Sequence, residues 1–285
     1  MRHQLSLSQF QIDRDLPVRV LRRDPQHEYP LHTHEFAELV IIYGGKGEHV
    51  VSGERMAIEA GDIFVIHPQT MHGYLNLYNL KLFNIIFDLD SLSYPFSEYS
   101  GSPAFQALFM LRPDSGTHGI RLSGNHLGPL LDLVEQMLKE EENHLQFCNM
   151  MLTGLFIQLV SMLGRLYFDY AKNPLPPPML QIGKVINAVL ENCAADWTRA
   201  EMAELASMSE SSLTRAFKKY TGYSPGNYLI HLRIKKAEAL LQRQNQRINE
   251  IGASVGFRDS NYFSRQFHRI NGLTPRQYRE SCLPK

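Results

Sequence analysis

Ser211-Ser-Leu-Thr-Arg-Ala-Phe217 and, fifty residues further on, Asn261-Tyr-Phe-Ser-Arg-Gln-Phe267 are two copies of one pattern. In each, two apolar positions stand four apart, as they must to share one side of a helix, and an arginine between them points the other way. The match continues outward. Gly222, Pro225 and Tyr228 stand opposite Gly272, Pro275 and Tyr278, and shared flanks around a shared heptamer are hard to obtain by chance.

Each copy reads as helix, short turn, helix. Thr198-x-x-Glu201 is a capping box opening a helix through Ala206, and Ser209 is a good N-cap for the next, which ends at Thr221-Gly222. In the second copy, Ile248-x-x-Ile251 leads to Gly256-Phe257, and a helix is predicted from about Asp259 to Ile270. Ser224-Pro225 and Thr274-Pro275 each place an N-cap before a proline at the first helical position, so both copies hand over to a new helix at the same point.

Leu213, Phe217, Phe263 and Phe267 are the predicted buried positions, leaving Arg215 and Arg265 outward. A helix fits the major groove, arginine can fork onto guanine and asparagine onto adenine. Two such helices on one connector, Tyr228 to Gln242, can reach successive grooves on one face of double-stranded DNA. Lys218, Lys219, Arg233, Lys235, Lys236, Arg243 and Arg269 are candidates for phosphate contacts. For a single helix, a basic face that is merely solvated is the default reading; the repeat argues against it here.

These units resemble the AraC/XylS family of regulators. The resemblance rests on Gly256-Phe257-Arg-Asp-Ser-Asn-Tyr-Phe263-Ser-Arg-Gln-Phe267 and on Thr274-Pro275-Arg-Gln-Tyr278-Arg279, and it covers residues 180–285. It implies base contacts from Ser211, Thr214 and Arg215 in the first unit and from Asp259, Asn261 and Arg265 in the second. Where the family has a small alanine, this chain has Gly252, which costs about 1 kcal/mol of helix propensity. Family members activate by touching the RNA polymerase sigma factor, and Glu250 stands at the matching acidic position; the plainer reading of Glu250 is a partner for its own helix dipole.

Length and charge agree with two parts. The chain has 285 residues and zero net charge, with 29 Lys+Arg against 29 Asp+Glu. Residues 180–285 hold 16 basic and 9 acidic side chains, leaving 13 and 20 for residues 1–179, so a basic half is attached to an acidic one. Asn173-Pro-Leu-Pro-Pro-Pro178 reads as a stiff linker. The expected division is a sensing and dimerising domain over 1–172, a linker over 173–179, and a DNA-binding domain over 180–285. No apolar run of about 18 residues is evident, and Met1-Arg2-His3-Gln4 lacks the apolar segment of a signal peptide. A cytoplasmic protein without membrane contact is expected. Three cysteines, Cys148, Cys193 and Cys282, have no paired spacing and read as structural or incidental.

Before the linker, short apolar stretches separated by glycines, among them Glu38-Leu-Val-Ile-Ile-Tyr43, Gly44-Gly-Lys-Gly47 as a turn, His49-Val-Val51, Gly61-Asp-Ile-Phe-Val-Ile66 and Leu80 to Phe87, predict a β-barrel or sandwich. Residues 91–125 read as loop with at most one short helix. Residues 126–143 and 146–171 read as helices. The stretch from Phe147 to Leu163 is apolar nearly all round, so a partner subunit, giving a homodimer, and burial within its own domain are both open. The fold class is therefore α+β: an N-terminal barrel with a helical segment and a C-terminal all-α domain of two helix-turn-helix units.

His32-x-His34-x-x-x-Glu38, followed by Gly44, resembles the first metal motif of cupin barrels; Gly61, His72 and Asn76 resemble the second, with His67 where that motif has proline. On a strand His32 and His34 share a face, and Glu38 and His72 could complete a site. Three readings stay open: the four residues bind the hydroxyls of a polar ligand, chelate a divalent metal such as Zn, Ni, Fe or Mn, or are hydrogen-bonded core polars. No cofactor is required by the first reading. Through Pro25-Gln26, His32 to Phe36, Glu38 to Ile41, His72-x-Tyr74 and Asn84-Ile-Ile86, the region is most similar to the L-rhamnose-responsive members of the family. That resemblance implies a sugar-responsive activator of carbohydrate catabolic genes, with the sugar near His32, His34, Glu38, His72, Tyr74 and Asn84, and no catalytic residues. The alternatives are a metal-dependent cupin enzyme fused to DNA-binding helices and a repressor that ignores ligand.

Overall fold

A computed structural model describes residues 3–10, 18–88, 105, 108–109, 119–170, 177–243 and 246–282. The chain divides into two compact units, Met1–Pro176 and Pro177–Lys285.

The first unit is an eight-stranded sheet with helices on one face. Its strands are β1 (His3–Leu5), β2 (Val18–Arg23), β3 (Tyr29–His34), β4 (Ala37–Val51), β5 (Glu54–Glu59), β6 (Asp62–Ile66), β7 (His72–Phe87) and β8 (Gly119–Arg121). Two long antiparallel strands organise it. β4 pairs with β7 from Ala37↔Phe87 to Val51↔His72, with register shifts around Gly44, Lys46 and Glu48. The predicted turn at Gly44–Gly47 is thus a bend inside one strand. Gly45 makes that bend possible: its φ is +71°, and a Cβ there would meet the Asn79 carbonyl at 2.0 Å. Beyond the bend β5 lies along β4 and β3 along β7; before it, β6 lies along β4 and β2 along β7.

The sheet encloses its interior without closing into a ring. Its hydrogen-bonded path runs β1-β3-β7-β4-β6-β8, with β2 and β5 as side branches, so a strictly closed barrel is corrected to an open, folded-over sheet. The alternation of strand side chains divides two cores. Ala37, Leu39 and Ile41 of β4 and Phe83, Ile85 and Phe87 of β7 face the helices, whereas Val40, Ile42 and Leu82 face the interior.

Among the described residues, two long helices cover the outer face, α1 (Leu127–Asn143) and α2 (Cys148–Tyr170). Glu141 of α1 ties them to β2, accepting from the Val20 amide at 2.8 Å and pairing with Arg19 at 2.7 Å. Leu152, Phe156, Leu159, Val160, Leu163 and Tyr167 of α2 are buried in the shared core. Cys148–Tyr167 is long and apolar enough to cross a bilayer, so the expectation that no run reaches that length is corrected; here one side of this helix packs on the sheet. Of the predicted loop at 91–125, Gly119–Arg121 is a strand, held to β6 by a two-pronged Arg121–Asp62 pair at 2.7 and 2.9 Å. The rest of that expectation falls largely outside the described residues.

The second unit is helical throughout: α3 (Pro177–Glu191), α4 (Arg199–Leu205), α5 (Glu210–Thr221), α6 (Pro225–Arg243), α7 (Ile248–Ser254), α8 (Ser260–Asn271) and α9 (Pro275–Ser281). Pro177–Met179, read in sequence as the end of the linker, form the first turn of α3, where prolines lacking an amide proton are tolerated. The caps fall where their chemistry predicts. Thr198 and Glu201 make a capping box, Ser209 accepts from the Ser212 amide, Asp259 from the Tyr262 amide, and Thr274 pairs with Gln277. Gly222 and Gly272 end α5 and α8 in the left-handed conformation at φ 80° and 70°.

Candidate functional site

The repeated heptamers lie on α5 and α8. Leu213, Phe217, Phe263 and Phe267 are all buried, at 0 to 1% exposure, and the remaining face of each helix carries the polar residues. On α5 Ser211, Arg215, Lys218 and Lys219 are exposed, and Thr214 is half-buried with its hydroxyl donating to the Glu210 carbonyl at 2.8 Å. On α8 Asn261, Arg265 and Arg269 are exposed at positions four apart, so they form one stripe. Each helix therefore presents a forked cation at the matching position opposite a buried apolar pair.

Two of the predicted contact residues have structural duties. Asp259 is exposed and is the N-cap of α8, its carboxylate accepting from the Tyr262 amide. Arg233 of α6 is half-buried, its Nε donating to the Cys193 carbonyl and its second nitrogen to the Ala195 carbonyl, both at 2.8 Å. It also lies 5.7 Å from the centre of the Phe257 ring. Arg233 is therefore a rivet joining the α3–α4 turn, the connector α6 and the turn of the second helix pair, and is withdrawn from the phosphate contacts. Arg258 reinforces the same junction through an ion pair with Asp196. Glu250 reaches back to the Arg247 amide at 3.1 Å as part of the cap of α7.

The second site is a cavity of about 370 Å³ in the sheet domain. All six residues expected near a ligand line it: His32 and His34 from β3, Glu38 from β4, and His72, Tyr74 and Asn84 from β7. They meet because β3 and β4 each flank β7, with His32 in register with His72 and Glu38 with Ile86. The lining also includes the apolar Leu5, Phe10, Leu21, Phe36 and Ile86 and, from the end of β2 and the segment after it, charged and polar residues such as Arg23, Asp24 and Gln26. Gly61, His67 and Asn76, noted in the second motif, are not in this lining; Gly61 instead serves a turn at φ +96°.

The three imidazoles are oriented alike. Nδ1 of His32 donates to the Pro30 carbonyl at 3.0 Å, that of His34 to Phe36 at 2.6 Å and that of His72 to Thr70 at 3.1 Å. A carbonyl only accepts, so Nδ1 of each ring carries a proton, and Nε2 is the nitrogen left for other partners. Nε2 of His34 and of His72 each lie 3.6 Å from the same Glu38 oxygen. Burial alone would raise the Glu38 carboxyl, yet the two facing imidazoles outweigh it and hold the group well below the usual carboxylate range. Burial, reinforced by His72, pushes His32 down to about 4, so it is neutral. Burial also raises the Tyr74 phenol well above its ordinary value.

Several buried polar atoms of this interior have no hydrogen-bond partner among the described residues: His34 Nε2, Tyr74 OH, Asn84 Oδ1, and both ring nitrogens of His49. His49 was not singled out in the sequence. It lies on β4 between the rings of Phe64 and Tyr74, each 4.9 Å away, and burial pushes it down to about 3. Its only sequence signal was a polar residue beside the apolar His49-Val-Val51 run. Orphaned buried polar atoms are costly unless something bonds them, so this interior is built to receive polar groups. A divalent metal also fits: His34, Glu38 and His72 offer ligand atoms that all lie within 4.8 Å of one another. His32 does not join that group, so the structure gathers three of the four predicted ligands.

Comparison with known proteins separates the same two parts. A family described as an AraC-like ligand binding domain matches residues 17–160, and a helix-turn-helix domain family matches residues 202–281. The chain is 33% identical over 283 residues, 98% of both chains, to proteins named HTH-type transcriptional activator RhaR from Escherichia coli (strain K12) and from Shigella boydii serotype 4. Among solved structures, the DNA-binding domain of AdpA in complex with a target DNA is 28% identical, covering 35% of this chain and 91% of that one, with a TM-score of 0.35. With an AraC-type sensing domain over half its length and relatives similar from end to end, the chain belongs to the AraC/XylS family of regulators.

Proposed function

We propose that this protein is a DNA-binding transcription activator of carbohydrate catabolic genes, and that a sugar of the L-rhamnose type, bound in the cavity, controls it. The observation that carries the reading is the pairing of two matched arginine-bearing helices with a separate cavity whose buried polar atoms await partners. Similarity along the whole chain to activators named RhaR supports both the activation and the sugar class.

Sugar hydroxyls suit the orphaned atoms. Neutral imidazole Nε2 and the Asn84 oxygen accept, the Tyr74 phenol donates, and the apolar side chains of the lining suit the methyl of a deoxy-sugar. Binding shifts the protein between states only by its differential affinity for them, so the sugar must hold the DNA-binding unit differently from the empty protein. Base reading falls to Arg215, Asn261 and Arg265, with Ser211 and Thr214 beside them, and Lys218, Lys219 and Arg269 supply phosphate contacts. The sigma subunit of RNA polymerase is the partner for activation, through the exposed side of α7 that carries Glu250. The protein acts as a homodimer in the cytoplasm, joined through the apolar residues exposed at the start of α2.

A thermal-shift series with L-rhamnose, other deoxy-sugars and pentoses tests the inducer. A ligand at 100 times its Kd stabilises the protein by about 2.7 kcal/mol. No shift with any sugar, combined with promoter binding indifferent to sugar, would leave a ligand-independent DNA binder in place of this reading.

A further inference from the structure

We propose that His34, Glu38 and His72 hold a divalent transition-metal ion in the cavity wall, and that neighbouring hydroxyls of the inducer complete its coordination. The inference deepens the sugar reading and rests on it for the identity of the added ligand. It starts from the convergence of three buried side chains. With Nδ1 donating to the Phe36 and Thr70 carbonyls, His34 and His72 turn Nε2 toward one Glu38 oxygen 3.6 Å from each. That is longer than a hydrogen bond, and His34 Nε2 is buried without a partner among the described residues. Three donor groups therefore face a common point that one cation can occupy.

The spacing is what a shared ion requires. Donors about 2.0–2.2 Å from one ion and separated by a tetrahedral or wider angle stand roughly 3.3–4.4 Å apart, within the 4.8 Å that contains all three ligand atoms. The carbonyls on Nδ1 are the outer partners that fix the ring and tautomer of metal-binding histidines. Two imidazoles and a carboxylate suit zinc and its first-row neighbours rather than calcium or magnesium. Three protein donors leave the ion coordinatively open, as a site must be if a small molecule is to reach it. His32 stays outside the ligand set, its ring 4.2 Å from that of His72, and with Asn84 it is placed to bond the sugar rather than the ion.

The test uses the full chain, stripped with a chelator and titrated with Zn²⁺ by calorimetry and with Co²⁺ by visible absorption, with and without L-rhamnose. One ion per chain is expected. Affinity should fall in Glu38→Gln and His72→Gln by more than the ~10–100-fold typical of losing an outer partner, whereas His32→Ala and Asn84→Ala keep the ion and bind sugar more weakly. Adding sugar to the Co²⁺ form should change its absorption bands, and stripping the metal should weaken sugar binding at least tenfold. If wild-type protein takes up no ion, or if sugar binds stripped and loaded protein equally, the metal inference is overturned while the sugar reading stands. An ion bound at these residues with no sugar binding in either form would uphold the ligand set and overturn the inducer.

Discussion

Single side chains decide what this protein can read. Arg215 and Arg265 are exposed on matching turns of α5 and α8, and a bidentate arginine–guanine contact is worth about 1–3 kcal/mol of discrimination. Replacing either with alanine should lower promoter affinity about 5- to 150-fold and relax preference at one position of its half of the site, measured by anisotropy on a panel of operators. An unchanged preference would remove base reading from that helix. The pattern of four was legible because helical spacing sorts inward from outward residues. The duties of Asp259 and Arg233 were not, since a carboxylate that caps and one that faces DNA look alike in sequence, and the carbonyls at 193 and 195 come under Arg233 only through the fold. His231 carries a pH dependence of the same origin. Burial, then Arg269 and Lys235, depress its pKa from 6.5, and the Tyr223 ring lies 4.6 Å away. The folded protein holds this imidazole neutral, so the stability it contributes is complete above about pH 6.5 and declines as pH falls below that value. Melting curves of His231→Gln should lose less between pH 7 and pH 5 than wild type; parallel declines would show that His231 titrates as it does in the unfolded chain.

At the level of elements, α7 shows how a departure from the family pattern is resolved by packing. By propensity alone Gly252→Ala should stabilise a helix by about 1 kcal/mol. In the folded protein a Cβ at Gly252 would meet the Phe263 ring at 2.9 Å. Phe263 is fully buried and wedged between Phe257 and Phe267, with ring centres 5.2 and 5.8 Å away, so it cannot step aside cheaply. Overpacking of this kind costs typically ~1–3 kcal/mol, and Gly252→Ala should lower the melting temperature; a rise would mean the aromatic cluster is softer than its contacts suggest. The bend in β4 was likewise hidden, because Gly44-Gly-Lys-Gly47 is a turn by composition and only the pairing with β7 keeps the chain extended through it. The capped helices, in contrast, could be placed within a residue or two, since a cap is a local contract between a side chain and the amides just after it.

Across the whole molecule, the exposed apolar residues at the start of α2 form a cluster that the described residues of their own unit leave uncovered. Leu145, Phe147, Met150 and Met151 are 51 to 72% exposed, while the other side of the helix is fully used by the sheet. Phe147→Glu with Met150→Glu should shift sedimentation from dimer to monomer and weaken binding to a two-half-site operator far more than to a single half-site. A dimer that survives both charges must be joined elsewhere. Sequence periodicity could announce this helix as apolar all round, but only the folded sheet shows which side is spoken for. Alternation along β4 has one more implication. Glu38 and Val40 belong to the inducer's side of a sheet a single strand thick, and Ala37, Leu39 and Ile41 to the helices' side. A ligand that tugs on Glu38 by a few tenths of an ångström must drag its neighbours through the same backbone, so pocket and helical layer behave like the two skins of one drumhead. Engineering a new inducer preference by substitutions on the inner skin should leave signalling intact so long as the membrane between them keeps its tension, whereas breaking its ladder would silence response while leaving both sugar and promoter bound.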